Sequence, residues 1–154
     1  MQPTARRCST ATLALCALSL LLACGCHRAL YDPAKATRPY PAHLHTARSV
    51  DIQVFRDQTN LLLVNATARS YYDFDLWINR RYVAHVPALP AGESLRLSLW
   101  HFYDVRGESV NAGGFWRTKE PTPVRLVEIQ LDHQQPLIGL VTIRAEDVEL
   151  TTRR

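Results

Sequence analysis

Three groups of residues in this chain have the types and spacing that chemistry requires. Asp73, Asp75 and Trp77 alternate along one short segment, Tyr71 to Asn79. On an extended backbone, residues two apart point to the same side, so both carboxylates and the indole share one face. Such a face offers a large apolar surface flanked by directional acceptors, which suits a sugar polymer, a peptide or a partner protein. Trp100 and Phe102 fall on the face opposite Leu95, Leu97 and Leu99, adding further outward aromatics. Asp73, Asp75, Trp77 and Trp100 are therefore the candidate binding face. His101 and Asp104 flank Phe102-Tyr103 at a strand end, and His43 and His45 lie two apart. Either pair supplies imidazole or carboxylate for acid–base or metal work, but no four-ligand spacing is present and no metal site is assigned. Asp73 and Asp75 also have the chemistry of an acid–base pair, although glycoside hydrolysis needs carboxylates opposed across a cleft.

Nothing marks a catalytic nucleophile. The sequence has no Gly-x-Ser-x-Gly elbow and no Ser-x-x-Lys near a strand end, and Gly113-Gly114 is not followed by the Lys-Ser or Lys-Thr of a phosphate loop. No catalytic residue and no cofactor is assigned. Asn65-Ala66-Thr67 matches a glycosylation sequon, and it reads equally as polar chemistry closing a strand.

The elements that must position these residues are strands. Val50, Ile52 and Val54 alternate with polar residues, Leu61 to Val64 is a continuous apolar run, and Tyr72, Phe74, Leu76 and Ile78 alternate again, which predicts a core-facing set. Arg81 to Val86 follows so closely that Asn79-Arg80 is expected to form a tight hairpin turn. Pro90 and Gly92 mark a turn before Leu95, Leu97 and Leu99, the plainest half-buried strand. Tyr103 to Gly114 reads as a loop. Phe115-Trp116 is expected to begin a short strand ended by Pro121 and Pro123. Val124 to Leu131 and Leu137 to Ala145 form a final hairpin. Seven or eight short strands without helical periodicity predict an all-β domain over residues 48–146, an antiparallel β-sandwich, with a small β-barrel as the alternative.

With 154 residues, 47% hydrophobic and 21% charged, the chain has room for one folded domain with a real core. Its formal charge of +4 includes Arg6 and Arg7; beyond residue 23 sixteen basic residues face fourteen acidic ones. That near balance, with the arginines dispersed, gives no electrostatic footprint for nucleic acid. All four cysteines, Cys8, Cys16, Cys24 and Cys26, precede residue 27, so the body has no disulfide framework.

The N-terminus carries an address. Arg6 and Arg7 precede an uncharged stretch from Ala11 to Ala23. Thirteen residues at ~1.5 Å each span about 20 Å, short of the ~30 Å hydrocarbon core, so the pattern is that of an export signal. Leu21-Leu22-Ala23-Cys24 resembles the lipobox of bacterial lipoprotein precursors. The resemblance implies removal of residues 1–23 and lipidation of Cys24. Several acyl chains would then anchor the protein stably where one chain is marginal. A second register, with Cys26 in the lipidated place, and a twin-arginine export signal at Arg6-Arg7 are the other readings of this segment. If the resemblance is to lipoproteins of two-membrane bacteria, Gly25, rather than an acid, after Cys24 implies the outer membrane, facing the periplasm. Residues 24–47, with Pro33, Pro39 and Pro41, read as a semi-extended tether holding the domain off the lipid, and residues 147–154 as a frayed tail.

A second resemblance concerns the body. Val83 to Val86, Leu89 to Ser94 and Leu95 to Leu99 are similar to the strand, turn and strand at the E–F corner of fibronectin type III-like domains, and Trp77 to the strand-C tryptophan of the immunoglobulin-like group. The corner tyrosine is replaced by Leu95, and no cysteines flank Trp77. The combined expectation is a lipid-anchored envelope protein with a non-catalytic immunoglobulin/fibronectin III-like β-sandwich that binds an envelope protein or a glycan. The alternative is an envelope hydrolase or metal-dependent enzyme using His101, Asp104 or the Asp73/Asp75 pair.

Overall fold

The computed structural model describes residues 31–114 and 119–143. The expected lipobox, the strand expected at Phe115-Trp116 and the tail lie outside these residues. No helix among the described residues is long and apolar enough to cross a membrane.

Among the described residues seven strands form: β1 (Ser49–Asp57), β2 (Asn60–Asn65), β3 (Tyr71–Ile78), β4 (Tyr82–Leu89), β5 (Ser94–Ser98), β6 (Val127–Gln130) and β7 (Ile138–Ile143). The all-β expectation holds. All seven belong to one sheet, in the order β4-β3-β6-β7-β1-β2-β5, and β1 runs parallel to β7. The sheet is therefore mixed, and not the purely antiparallel pair of layers of a sandwich.

Chain connectivity forces this sheet to curl. β4 and β5 are its two edges, yet Leu89 and Ser94 are only five residue steps apart. Six strand spacings of ~4.8 Å would separate the edges of a flat sheet by about 29 Å. Five extended steps reach at most about 18 Å. The edges must come together, and the result is a nearly closed barrel, the second of the two expected architectures. Its single interior is filled from every strand, with Ile52, Leu61, Phe74, Leu76, Val86, Ile129 and Leu140 among the contributors and Leu95 and Leu97 packed against them.

The Asn79-Arg80 turn forms as expected, with positive φ at both residues (52° and 59°) and Arg81 N–H donating to Ile78 C=O at 3.0 Å. These angles are those of a type I′ turn, whose twist matches the flanking strands. The alternation expected in β3 breaks at its start. Phe74, Leu76 and Ile78 face the core, but Tyr72 is 62% exposed and Tyr71 is buried in its place. The cause sits at Asp73. Its register partner would be Pro87, which has no N–H for the ladder, and Asp73 adopts φ 51°.

Residues 31–48, with 31–47 expected as part of a tether, lie against the outside of the barrel. Thr37 N–H donates to Asp104 C=O (3.0 Å), Leu137 N–H to Leu44 C=O (2.8 Å) and Gly139 N–H to Arg48 C=O (2.9 Å). This strap begins at Asp32, beside Gly107. There the backbones approach so closely that a Cβ on Gly107 would stand 2.1 Å from Asp32 O.

Arg81 fixes the loop beneath the start of the strap. It donates twice to Asp104 Oδ2 (2.9 and 2.7 Å), and Asp104 Oδ1 accepts from the Arg106 and Glu108 amides at 2.9 Å. Burial alone would raise the Asp104 pKa. The Arg81 guanidinium and the two amides outweigh it and hold the carboxyl below the usual carboxylate range. A carboxyl depressed on folding stabilises the native state above its unfolded value, and this is lost as pH falls through the folded value. Stability to urea is accordingly expected to fall below about pH 4. In Asp104→Asn that acid limb should be flatter and the neutral-pH midpoint lower; an unchanged pH profile would exclude this ion pair as its source.

Candidate functional site

The outer face of β3, β4 and β6 carries two adjoining polar assemblies, one under the strap and one beside it. Under the strap, Trp77 is fully buried. Tyr40 meets its ring edge-on at a centroid distance of 5.4 Å, and the Arg38 guanidinium lies 5.0 Å from the ring centroid. Trp77 Nε1–H donates to Gln130 Oε1 at 2.9 Å. With Val83 and Leu137, and with Tyr40 and Leu44 packed over them, Trp77 forms a second small core outside the barrel.

Glu128 is 1% exposed on this same face. Its carboxylate accepts from Tyr40 Oη–H (2.8 Å) and from His45 Nδ1–H (2.7 Å). His45 Nε2 lies 2.9 Å from Arg80 Nη2. A guanidinium only donates, so Nε2 faces Arg80 as the acceptor and Nδ1 faces Glu128 as the donor. Burial, then the Glu128 carboxylate as acceptor, push the Tyr40 phenol well above its ordinary range.

Beside the strap is an open cleft of about 280 Å³, lined by Arg38, Asp73, Asp75, His85, Gln130, Leu131, Asp132 and His133. The two-residue turn sets the register that places His85 directly across from Asp75. His85 Nδ1 lies 3.2 Å from Asp75 Oδ1, and Nε2 lies 3.3 Å from Asp73 Oδ1. Arg38 Nη2 donates to Asp75 Oδ2 at 2.5 Å. The β6–β7 turn adds Asp132, whose Oδ1 accepts from the Gln134 amide at 2.8 Å.

The structure thus brings together part of the expected binding face and rearranges the rest. Asp73 and Asp75 line the cleft, but Trp77 is sealed beneath the strap and is not an exposed platform. Trp100 belongs elsewhere: β5 ends at Ser98, a 3-10 turn over Leu99–His101 reorients the chain, and Trp100 packs half-buried against the barrel core. Phe102, expected to point outward, is fully buried. Asp104 is committed to Arg81, and His45 to Glu128 and Arg80. No group of three or more His, Cys, Asp or Glu residues suited to a metal ion occurs among the described residues. Asn65 of the sequon is fully buried, with its side chain bonded on both amide arms.

Sequence reading missed Arg38, His85, Gln130, Asp132 and His133. For His85 a signal existed, since a two-residue turn at Asn79-Arg80 fixes Asp75 opposite His85. For Arg38 there was none, because nothing in a Pro-containing segment announces that it docks. No protein-family model matches the chain, and no curated protein or solved structure does either.

Proposed function

We propose that this protein is a lipid-anchored component of a bacterial envelope, held to the membrane through Cys24, probing its surroundings with a non-catalytic β-domain. The observation that carries the binding role is the cleft. It is built jointly by the barrel and by Arg38 of the strap, fourteen residues from the proposed lipid site. A ligand in that cleft would touch the segment that leads to the membrane. Support for the anchor is the Leu21-Leu22-Ala23-Cys24 sequence after a short uncharged stretch, and the outer membrane is the destination that Gly25 favours. The hydrolase alternative draws on the Asp73/Asp75 pair, now with His85 beside both, but these two carboxylates stand on one strand, on the same wall of the cleft, and are not opposed across it. Labelling with a radioactive fatty acid tests the anchor. Wild type is expected to carry the label and fractionate with membranes, and Cys24→Ser to lose the label and leave them. Persistent labelling in Cys24→Ser would defeat the assignment.

A further inference from the structure

Gln130 is the residue on which the cleft turns. It is 3% exposed and lines the cleft, and the indole N–H of Trp77, which only donates, fixes its Oε1. The other arm of the amide, Nε2, is a buried donor with no acceptor among the described residues. Leaving such a group unpaired is unfavourable, so an acceptor that reached it would recover that cost.

The charges around it are unbalanced. Asp73, Asp75 and Asp132 stand against a single guanidinium, Arg38, which is already committed to Asp75, and against two imidazoles, His133 and His85, the latter touching one oxygen each of Asp73 and Asp75. The side chain of Asp73 is 90% exposed, on a backbone held at φ 51°, and Asp132 has an amide on only one of its oxygens. A net negative cleft in a chain of formal charge +4 is complementary to a cation. The unpaired amide donor asks for a carbonyl in the same ligand.

We infer that the cleft recognises a basic residue within a peptide segment. Its ammonium or guanidinium seats against Asp73 and Asp132, and a neighbouring main-chain carbonyl accepts from Gln130 Nε2. A saccharide is less well served, because the aromatic ring on which it would stack is Trp77, which lies sealed below. This inference rests on the binding reading above and is independent of the lipid. Nε2 is covered, so its engagement requires a small local movement of the cleft wall.

The test is nuclear magnetic resonance on the full-length chain in detergent, following the Gln130 side-chain amide while titrating three probes. These are N-acetyl-lysine N-methylamide, its norleucine counterpart, and a short N-acetylglucosamine oligosaccharide. The lysine probe is expected to shift the Gln130 amide with a Kd at least about tenfold below that of norleucine. That preference should shrink several-fold between ~0.05 and ~0.5 M salt. It should also fall about tenfold in Asp73→Asn/Asp132→Asn. Asp132→Asn alone, which keeps the turn acceptor for Gln134, serves if the double variant does not fold. Equal response to lysine and norleucine, a preference that survives loss of the acids, or an unmoved Gln130 amide would overturn the inference. Salt-independent binding of the oligosaccharide would also overturn it and leave the cleft as a binding surface. Silence from all three probes would remove both, leaving the anchor to stand on the labelling experiment.

Discussion

Asn65→Ala is expected to cost about 3 kcal/mol and to lower the melting temperature by roughly 10–20 °C. Asn65 ends β2, and its Nδ2 donates across the seam of the barrel to Leu89 C=O (3.2 Å) and Pro90 C=O (2.9 Å), and locally to Arg69 C=O (2.8 Å). Its Oδ1 accepts from the Thr67 amide (3.1 Å) and hydroxyl (2.7 Å). Its backbone N–H donates to Glu93 C=O, and its C=O accepts from Gly92 N–H. One fully buried side chain therefore satisfies groups at the end of β4, in the β4–β5 connection and after β2, where the two sheet edges must meet. Alanine removes the donor from the buried bond to Leu89 C=O and from the part-buried bonds to Pro90 and Arg69 C=O. Asn65→Asp should be no better near neutral pH, since it turns a carboxylate oxygen toward the same carbonyls. Thr67→Val, which removes one partly buried bond to Asn65 and two exposed ones to the Arg69 backbone, should cost only about 1 kcal/mol. Urea unfolding of the three variants decides the matter. A loss below about 1 kcal/mol in Asn65→Ala would mean that the seam is held by packing alone.

The same residue shows what could be read in the sequence and what could not. Asn-Ala-Thr is visible as a motif, but whether it is a modification signal or a stitch depends on a carbonyl cluster contributed by residues 24 and 25 positions away. Strands with strict alternation were legible: Val50, Ile52 and Val54 turn inward or pack on the core, as do Leu95 and Leu97. The Asn79-Arg80 turn was legible because two tightly spaced apolar runs leave no room for a longer one. Period-2 reasoning failed at Tyr72 because it assumes an unbroken ladder, and Pro87 across from Asp73 breaks it. The choice between sandwich and barrel failed for a different cause. The parallel pairing of β1 with β7 joins the two ends of the domain, and no local pattern encodes it.

The burial of Trp77 is the decisive case for the site, and its replacement should show it. Alternation correctly put Trp77 on the outer face of β3, beside Asp75, and the inference that an outer residue is an exposed one is where the reading went astray. In an open sheet the step is sound; here residues 31–48 turn part of that face into a second interior. Trp77→Ala is expected to cost about 3–5 kcal/mol, as for a large ring removed from a packed core. The loss should be local as well as global. Tyr40 loses the ring it packs against, Arg38 loses its aromatic contact, and Gln130 Oε1 loses its donor. The strap should therefore loosen, and hydrogen exchange at the Leu137 amide, which donates to Leu44 C=O, should accelerate more than exchange within β1 and β2. Trp77→Phe keeps the apolar ring and loses the indole N–H, so its cost should be smaller, about 1–2 kcal/mol. Trp100→Ala, at the half-buried edge of the barrel core, should fall in the same lower range and leave Leu137 protection intact. If Trp77→Ala instead melted like the wild type while losing a binding partner, the indole would be an exposed contact and the strap would not lie where it does. If it melts far lower with Leu137 deprotected, the strap is part of the fold, and Arg38 reaches the cleft because Trp77 holds it there.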